Sequence, residues 1–226
     1  MNKKRIQKTL TTKTSALILV ALAVIGTVAL ATAIGHSTDA NANKTSVTAF
    51  HDQMRKLWED HITWTRLVII SVLNGLSDTS STVTRLLQNQ VDIGNAIKPF
   101  YGDAAGNQLV SLLHDHITIA AEILTDAKNG DGSALNDAIN RWYANAHDIA
   151  VFLTNANPDH WGLAMTEMMI KTHLDLTLNE AVTYLKADYN GSVTAYEEVH
   201  LQILQMADML SSGLIAQFPQ DFTGQK

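Results

Sequence analysis

At 226 residues, 46% of them hydrophobic and none of them cysteine, the chain has room for one core of ordinary size and cannot build disulfides, thiolate metal sites or cysteine nucleophiles. Residues 1 to 42 hold five basic side chains and one acid, so the remainder carries eleven basic against twenty-one acidic residues, net −10 with His neutral. That charge favours solubility and disfavours nucleic acid and anionic lipid surfaces as partners.

Lys3, Lys4, Arg5, Lys8 and Lys13 precede an uncharged apolar run from Ala16 to Gly35. As a helix this run would reach about 30 Å, the thickness of a bilayer core. Beyond it, Ala40 and Ala42 supply the small-residue pattern of a signal-peptidase site. The expectation is a signal peptide or signal anchor over 1 to 42, built on an apolar transmembrane helix over 16 to 35, and one domain over 43 to 226. The basic flank stays inside, so the chain is exported, either secreted or held at the cell membrane N-in and C-out.

After the leader, apolar residues recur every three or four positions, and no period of two competes with them. Pro99, Pro158 and Pro219 fall where this periodicity stops. The pattern predicts six helices over about 47 to 76, 79 to 98, 104 to 129, 133 to 155, 161 to 189 and 192 to 217. Turn and cap signals separate them at Gly75-Leu76-Ser77-Asp78, Tyr101-Gly102-Asp103, Asn129-Gly130-Asp131, Asn157-Pro158-Asp159 and Asn190-Gly191-Ser192. Helices of similar length on short loops pack antiparallel, so the expected fold is all-α, an up-and-down bundle. No repeat of 20 to 50 residues stands out.

Residues at i±3, i±4 and i±7 share a helical face, which sorts the histidines. His61 shares its face with Met54, Leu57, Trp58 and Val68; His116 with Leu109, Leu112, Leu113 and Ile123; His173 with Met169, Ile170 and Leu176; and His200 with Val193, Ile203, Leu204 and Ala207. All four are expected to point inward and near one level. His114 and His147 fall opposite the stripes, and His51 and His160 lie at helix starts. Glu197 and His200 form a Glu-x-x-His pair, and Glu180 lies two turns beyond His173 on its stripe. Asp60 and Asp115 directly precede core histidines but lie about 100° away.

Four buried imidazoles each need a partner, because an unpaired buried polar group costs about 1 to 3 kcal/mol. A metal ion held by His61, His116, His173 and His200, with Glu197 and Glu180 in support, would supply partners to all of them. Nitrogen and oxygen donors without thiolate suit Zn, Cu, Fe or Mn. Two other readings use the same residues: a non-catalytic envelope or interaction module with a structural polar core, and an enzyme moving protons with a buried His and carboxylate. Met54, Met165, Met168, Met169, Met206 and Met209 are read as core filler. No dinucleotide fingerprint, Walker loop, nucleophile elbow or His-Glu-x-x-His is present, so no nucleotide is an expected partner.

Leu57-Trp58-Glu59-Asp60-His61-Ile62-Thr63-Trp64-Thr65-Arg66, Lys98-Pro99-Phe100-Tyr101-Gly102 and Arg141-Trp142-Tyr143-Ala144-Asn145-Ala146 resemble segments of a family of exported bacterial helical-bundle proteins without established function. The resemblance covers most of the chain after the leader and implies a shared helical fold, with no catalytic residues to carry over. Similar chains sometimes bear the label acetylglutamate kinase. That chemistry needs an α/β nucleotide-binding fold and glycine-rich phosphate loops, which this sequence lacks. Glu197 and His200 also resemble half of a ferritin-like di-metal motif, whose second pair is missing here.

Overall fold

The structure is a computed structural model that describes residues 44–224; the leader expected over 1 to 42 lies outside the described residues. Helix formation begins where Ser46 accepts a hydrogen bond from the Ala49 amide, opening α1 (Val47–Asn74). Gly75 closes it in the left-handed conformation with φ 66°, a backbone that costs glycine little. Next come α2 (Thr79–Asn129), α3 (Gly132–Ala156), α4 (Leu163–Leu185) and α5 (Tyr189–Gln217). Asp131 and Asp188 cap α3 and α5 by accepting from the Ala134 and Gly191 amides.

The chain is thus an all-α bundle, with five helices where the periodicity predicts six. The difference lies at Gly102, whose φ 82° and ψ 168° bend α2 into arms over 79 to 101 and 103 to 129. Pro99 sits inside the first arm, so the glycine, three residues on, makes the break. The arms touch closely: a Cβ on Gly94 would stand 2.8 Å from the Gly106 carbonyl oxygen. The last turn is also displaced from its expected place. Asn190, Gly191 and Ser192 lie in the first turn of α5, and the reversal falls at Lys186 to Asp188, with Ala187 at φ 59°.

Consecutive helices pack on one another, and α1 also packs on α5, which closes the bundle around one main core. Phe50, Phe100, Phe218 and Phe222 stack at one end. There β1 (Thr45–Ser46) pairs in parallel with β2 (Phe222–Thr223). A smaller cluster of Val68, Ile69, Leu86, Ile117, Leu124 and Ala181 fills another part of the interior. Among the described residues no helix is long and apolar enough to cross a membrane.

Gly94→Ala adds a methyl that meets backbone and Val110 rather than space. The expected outcome is a loss of about 1 to 2 kcal/mol in urea unfolding, although alanine favours a helix. Gly132→Ala, where a Cβ meets nothing within 4 Å, should be neutral or slightly stabilising by the same measurement.

Candidate functional site

Three of the four expected histidines meet in the core. His61 on α1, His116 on the second arm of α2 and His173 on α4 are all buried. The three residues line one cavity of about 30 Å³, together with Trp58, Leu113, Ile149 and Met206. The His61 and His173 ring centroids are 5.6 Å apart, while His116 stacks on Trp142 at 5.0 Å. A cavity of this size can hold a water or a small ion.

Each ring is held from behind by a carboxamide on the following helix. His116 Nδ1 lies 3.0 Å from Asn145 Oδ1, and Asn145 Nδ2 donates to the Leu112 carbonyl. His173 Nδ1 lies 3.2 Å from Gln202 Oε1, and Gln202 Nε2 donates to the Met169 carbonyl. In the third case Asn89 Nδ2 donates to the Leu57 carbonyl and Asn89 Oδ1 accepts from Gln90 Nε2. Gln90 Nε2 is the neighbour of His61 Nδ1, at 3.3 Å, and it also donates at 2.9 Å to the Leu86 carbonyl. The Leu57, Leu112 and Met169 carbonyls each belong to the residue four positions before a histidine.

This geometry settles the tautomers of His116 and His173. A backbone carbonyl can only accept, so it fixes the amide nitrogen and turns the amide oxygen toward the ring. The ring nitrogen facing that oxygen must carry the proton. In the neutral state the proton therefore sits on Nδ1 of His116 and His173 and a lone pair on their Nε2 atoms, whereas His61 Nδ1 faces the Gln90 amide nitrogen, a donor. Among the described residues no hydrogen bond reaches these Nε2 atoms. Trp58 Nε1, on a residue of the same cavity wall, is a buried donor without a partner.

Burial is the main influence holding the rings neutral. It pushes His116 down to about 3 and His173 down to about 4. His61 is also pushed well below the ordinary value, first by burial and then by the other two rings. Like charges at this spacing cannot share a dry cavity.

The remaining expected ligands lie elsewhere. His200 is 30% exposed, with Nε2 against Glu59 at 3.1 Å, and Glu197 faces solvent. The stripe read from the sequence included Val193, which is 52% exposed, whereas α5 buries Ala195, Val199, Gln202, Ile203 and Met206. His200 sits at the edge of that face. Glu180 is buried as expected, but its carboxylate is engaged by Arg66 Nη1 at 2.7 Å, which also reaches Ser192. Burial raises the Glu180 carboxyl against the pull of that guanidinium. Asp60 pairs with Lys56 and Arg85, while Asp115 and Asp148 are exposed. No carboxylate lines the cavity.

Asn89, Asn145 and Gln202 were not among the expected site residues, yet the sequence carries their signal. They follow His61, His116 and His173 by 28, 29 and 29 positions, and the histidines themselves are 55 and 57 apart. Asp60-His61-Ile62-Thr63 recurs as Asp115-His116-Ile117-Thr118. The bundle is built from three helical hairpins that share the amide-to-carbonyl bond, at a period just beyond the 20 to 50 residues over which solenoid repeats are sought.

The native state holds three neutral imidazoles, while the unfolded chain takes up protons as pH falls through about 6.5. Their contribution to stability is therefore full above that pH and is lost as pH falls toward the folded values. With chelator present, unfolding free energy should fall by about 4 kcal/mol per pH unit between pH 6 and 5. His116→Gln should reduce that slope by about 1.4 kcal/mol per unit. Urea melts across this window measure both.

Comparison of the chain with protein-family models, curated proteins and solved structures gives no match, so the functional reading rests on the site's own geometry.

Proposed function

We propose that this is an extracytoplasmic helix bundle that binds one metal ion among His61, His116 and His173. The observation that carries the reading is that three buried histidines line one cavity, with His116 and His173 each held by an amide oxygen at Nδ1 and left with an Nε2 lone pair. Carboxamides behind the rings are the kind of partner that orients metal-binding imidazoles and fixes the ligating nitrogen. The depressed proton affinity keeps the rings in ligand form at neutral pH. Zn, Cu, Fe and Mn all accept imidazole.

A second reading, a structural polar core in an envelope or interaction module, is favoured by one observation. Among the described residues no group of three or more His, Cys, Asp or Glu side chains stands at metal-ligand spacing. In that reading a water bridges the Nε2 atoms. In the first, the ion draws the rings inward. A proton-transfer enzyme has less support, because no carboxylate lines the cavity.

The two main readings separate on metal analysis of the full chain purified without a histidine tag. One equivalent of ion per chain is expected, with a melting temperature that rises on reloading, since saturation at a hundred times Kd is worth about 2.7 kcal/mol. His116→Gln should abolish that rise; His200→Gln and Glu197→Gln should leave it intact. Less than a tenth of an equivalent, even after incubation with each ion, would leave the structural reading alone standing.

A further inference from the structure

A second cavity adjoins the one lined by the histidines, and what it can hold is independent of the metal-binding reading above. It also measures about 30 Å³, and the two share Trp58, Leu113, Ile149, Leu153 and Leu210 in their walls. A water needs about 10 to 15 Å³ of such space, so this cavity has room for about two or three non-hydrogen atoms, and the pair for about five. Water itself is a poor occupant. It needs two to four polar partners, and its protons find few acceptors here. Neither a carboxylate nor an amide lines the wall, and the Tyr101 hydroxyl on it donates to Gln217 Oε1 at 2.6 Å. An ion would meet no opposite charge.

Donors, by contrast, stand without partners. Trp58 and Trp161 both line this cavity, at 7% and 3% exposure, and the Nε1 of each is buried with no hydrogen bond. A buried donor left unpaired costs stability. The fold does not require an indole at 58. Counting onward by the spacing of the histidines, 55 and then 57 positions, leads from Trp58 to Leu113 and Ile170. Both are buried, and both line the histidine cavity beside Trp58. An aliphatic side chain therefore serves at this place in the other two hairpins and brings no unpaired N–H. Trp161 is accommodated by Gly213 on α5, where a Cβ would stand 2.2 Å from its Nε1. We infer that this cavity binds a small neutral molecule with an apolar body and an oxygen that only accepts, the class of short ketones and esters, with Trp58 Nε1 as donor to that oxygen and Trp161 Nε1 as a second. A carbonyl oxygen has two lone pairs and so can accept from both. An alcohol of the same size would bring a proton that the wall does not meet.

Acetone and isobutene have nearly the same shape, and only acetone carries an acceptor. The full chain is titrated with each while the indole N–H resonances of its four tryptophans are followed by NMR. Acetone is expected to saturate with a Kd of about 1 to 10 mM, within the ceiling for so small a ligand. It should move the Trp58 and Trp161 indole protons, which Trp58→Phe and Trp161→Phe identify. Trp58→Phe should also weaken acetone about fivefold, the worth of one hydrogen bond, and leave isobutene no weaker. Should that variant fail to fold, the indole shifts of the unaltered chain decide the point. Acetone affinity unchanged in Trp58→Phe, or indole resonances that stay still while acetone binds, overturns the inference and leaves a plain apolar void. So does the absence of any saturable shift at about 100 mM acetone, ten times the weakest Kd expected. Metal content is measured separately, so this inference and the metal-binding reading stand or fall apart from one another.

Discussion

A backbone carbonyl cannot donate a hydrogen bond, and the centre of this bundle is organised by that restriction. Leu57, Leu112 and Met169 offer their carbonyls to the amides of Asn89, Asn145 and Gln202. Each amide is oriented by its carbonyl, and the imidazoles of His116 and His173 are oriented by the amides of Asn145 and Gln202. In those two hairpins the polar side chains are thus satisfied by one another and by a helix that keeps its own ladder. The cost of burying them is met locally, and one acceptor on each of these two rings is left for the interior.

The same contact has a second role in packing. It ties the two helices of a hairpin together at a point where apolar side chains alone would allow sliding by a turn. Three such ties, one in each hairpin, set the heights at which the histidines enter the core. The tight passage of Gly94 past Gly106 sets the approach of the first hairpin to the second. Trp142 adds a cross-link by donating from Nε1 to the His116 carbonyl while it stacks on that residue's ring. The polar centre therefore owes its geometry to backbone positions, which are stiffer than side chains.

Helical periodicity was readable from the sequence because each helix buries a broad apolar stripe, and the positions of four of the five turns followed from Gly, Asp, Asn and Pro. The bend at Gly102 was visible as a turn signal, although the hydrogen-bonded turns continue past it. His61, His116 and His173 were legible because they lie in mid-stripe. His200 was misread because a residue at the margin of a stripe has the same neighbours at i±3 and i±4 as one at its centre, and only packing decides which flank is covered. Glu180 shows a different limit. Its burial was foreseeable, but its pairing with Arg66 across 114 residues leaves no local trace. The amide partners were hidden for a simpler reason: Asn and Gln on a helix read as surface residues until their spacing from the histidines is compared hairpin by hairpin.

The cavity is lined by side chains of α1, α2, α3, α4 and α5, and that lining governs time as well as affinity. Anything lodged among five helices moves in and out as they shift. The start of α4, where Gly162 provides no side-chain cap, is one place where fraying meets little resistance. Exchange with the surroundings would then follow the opening of one helix end rather than the strength of any bond inside. A guest held on such terms is stored, and its release is set by the breathing of the protein.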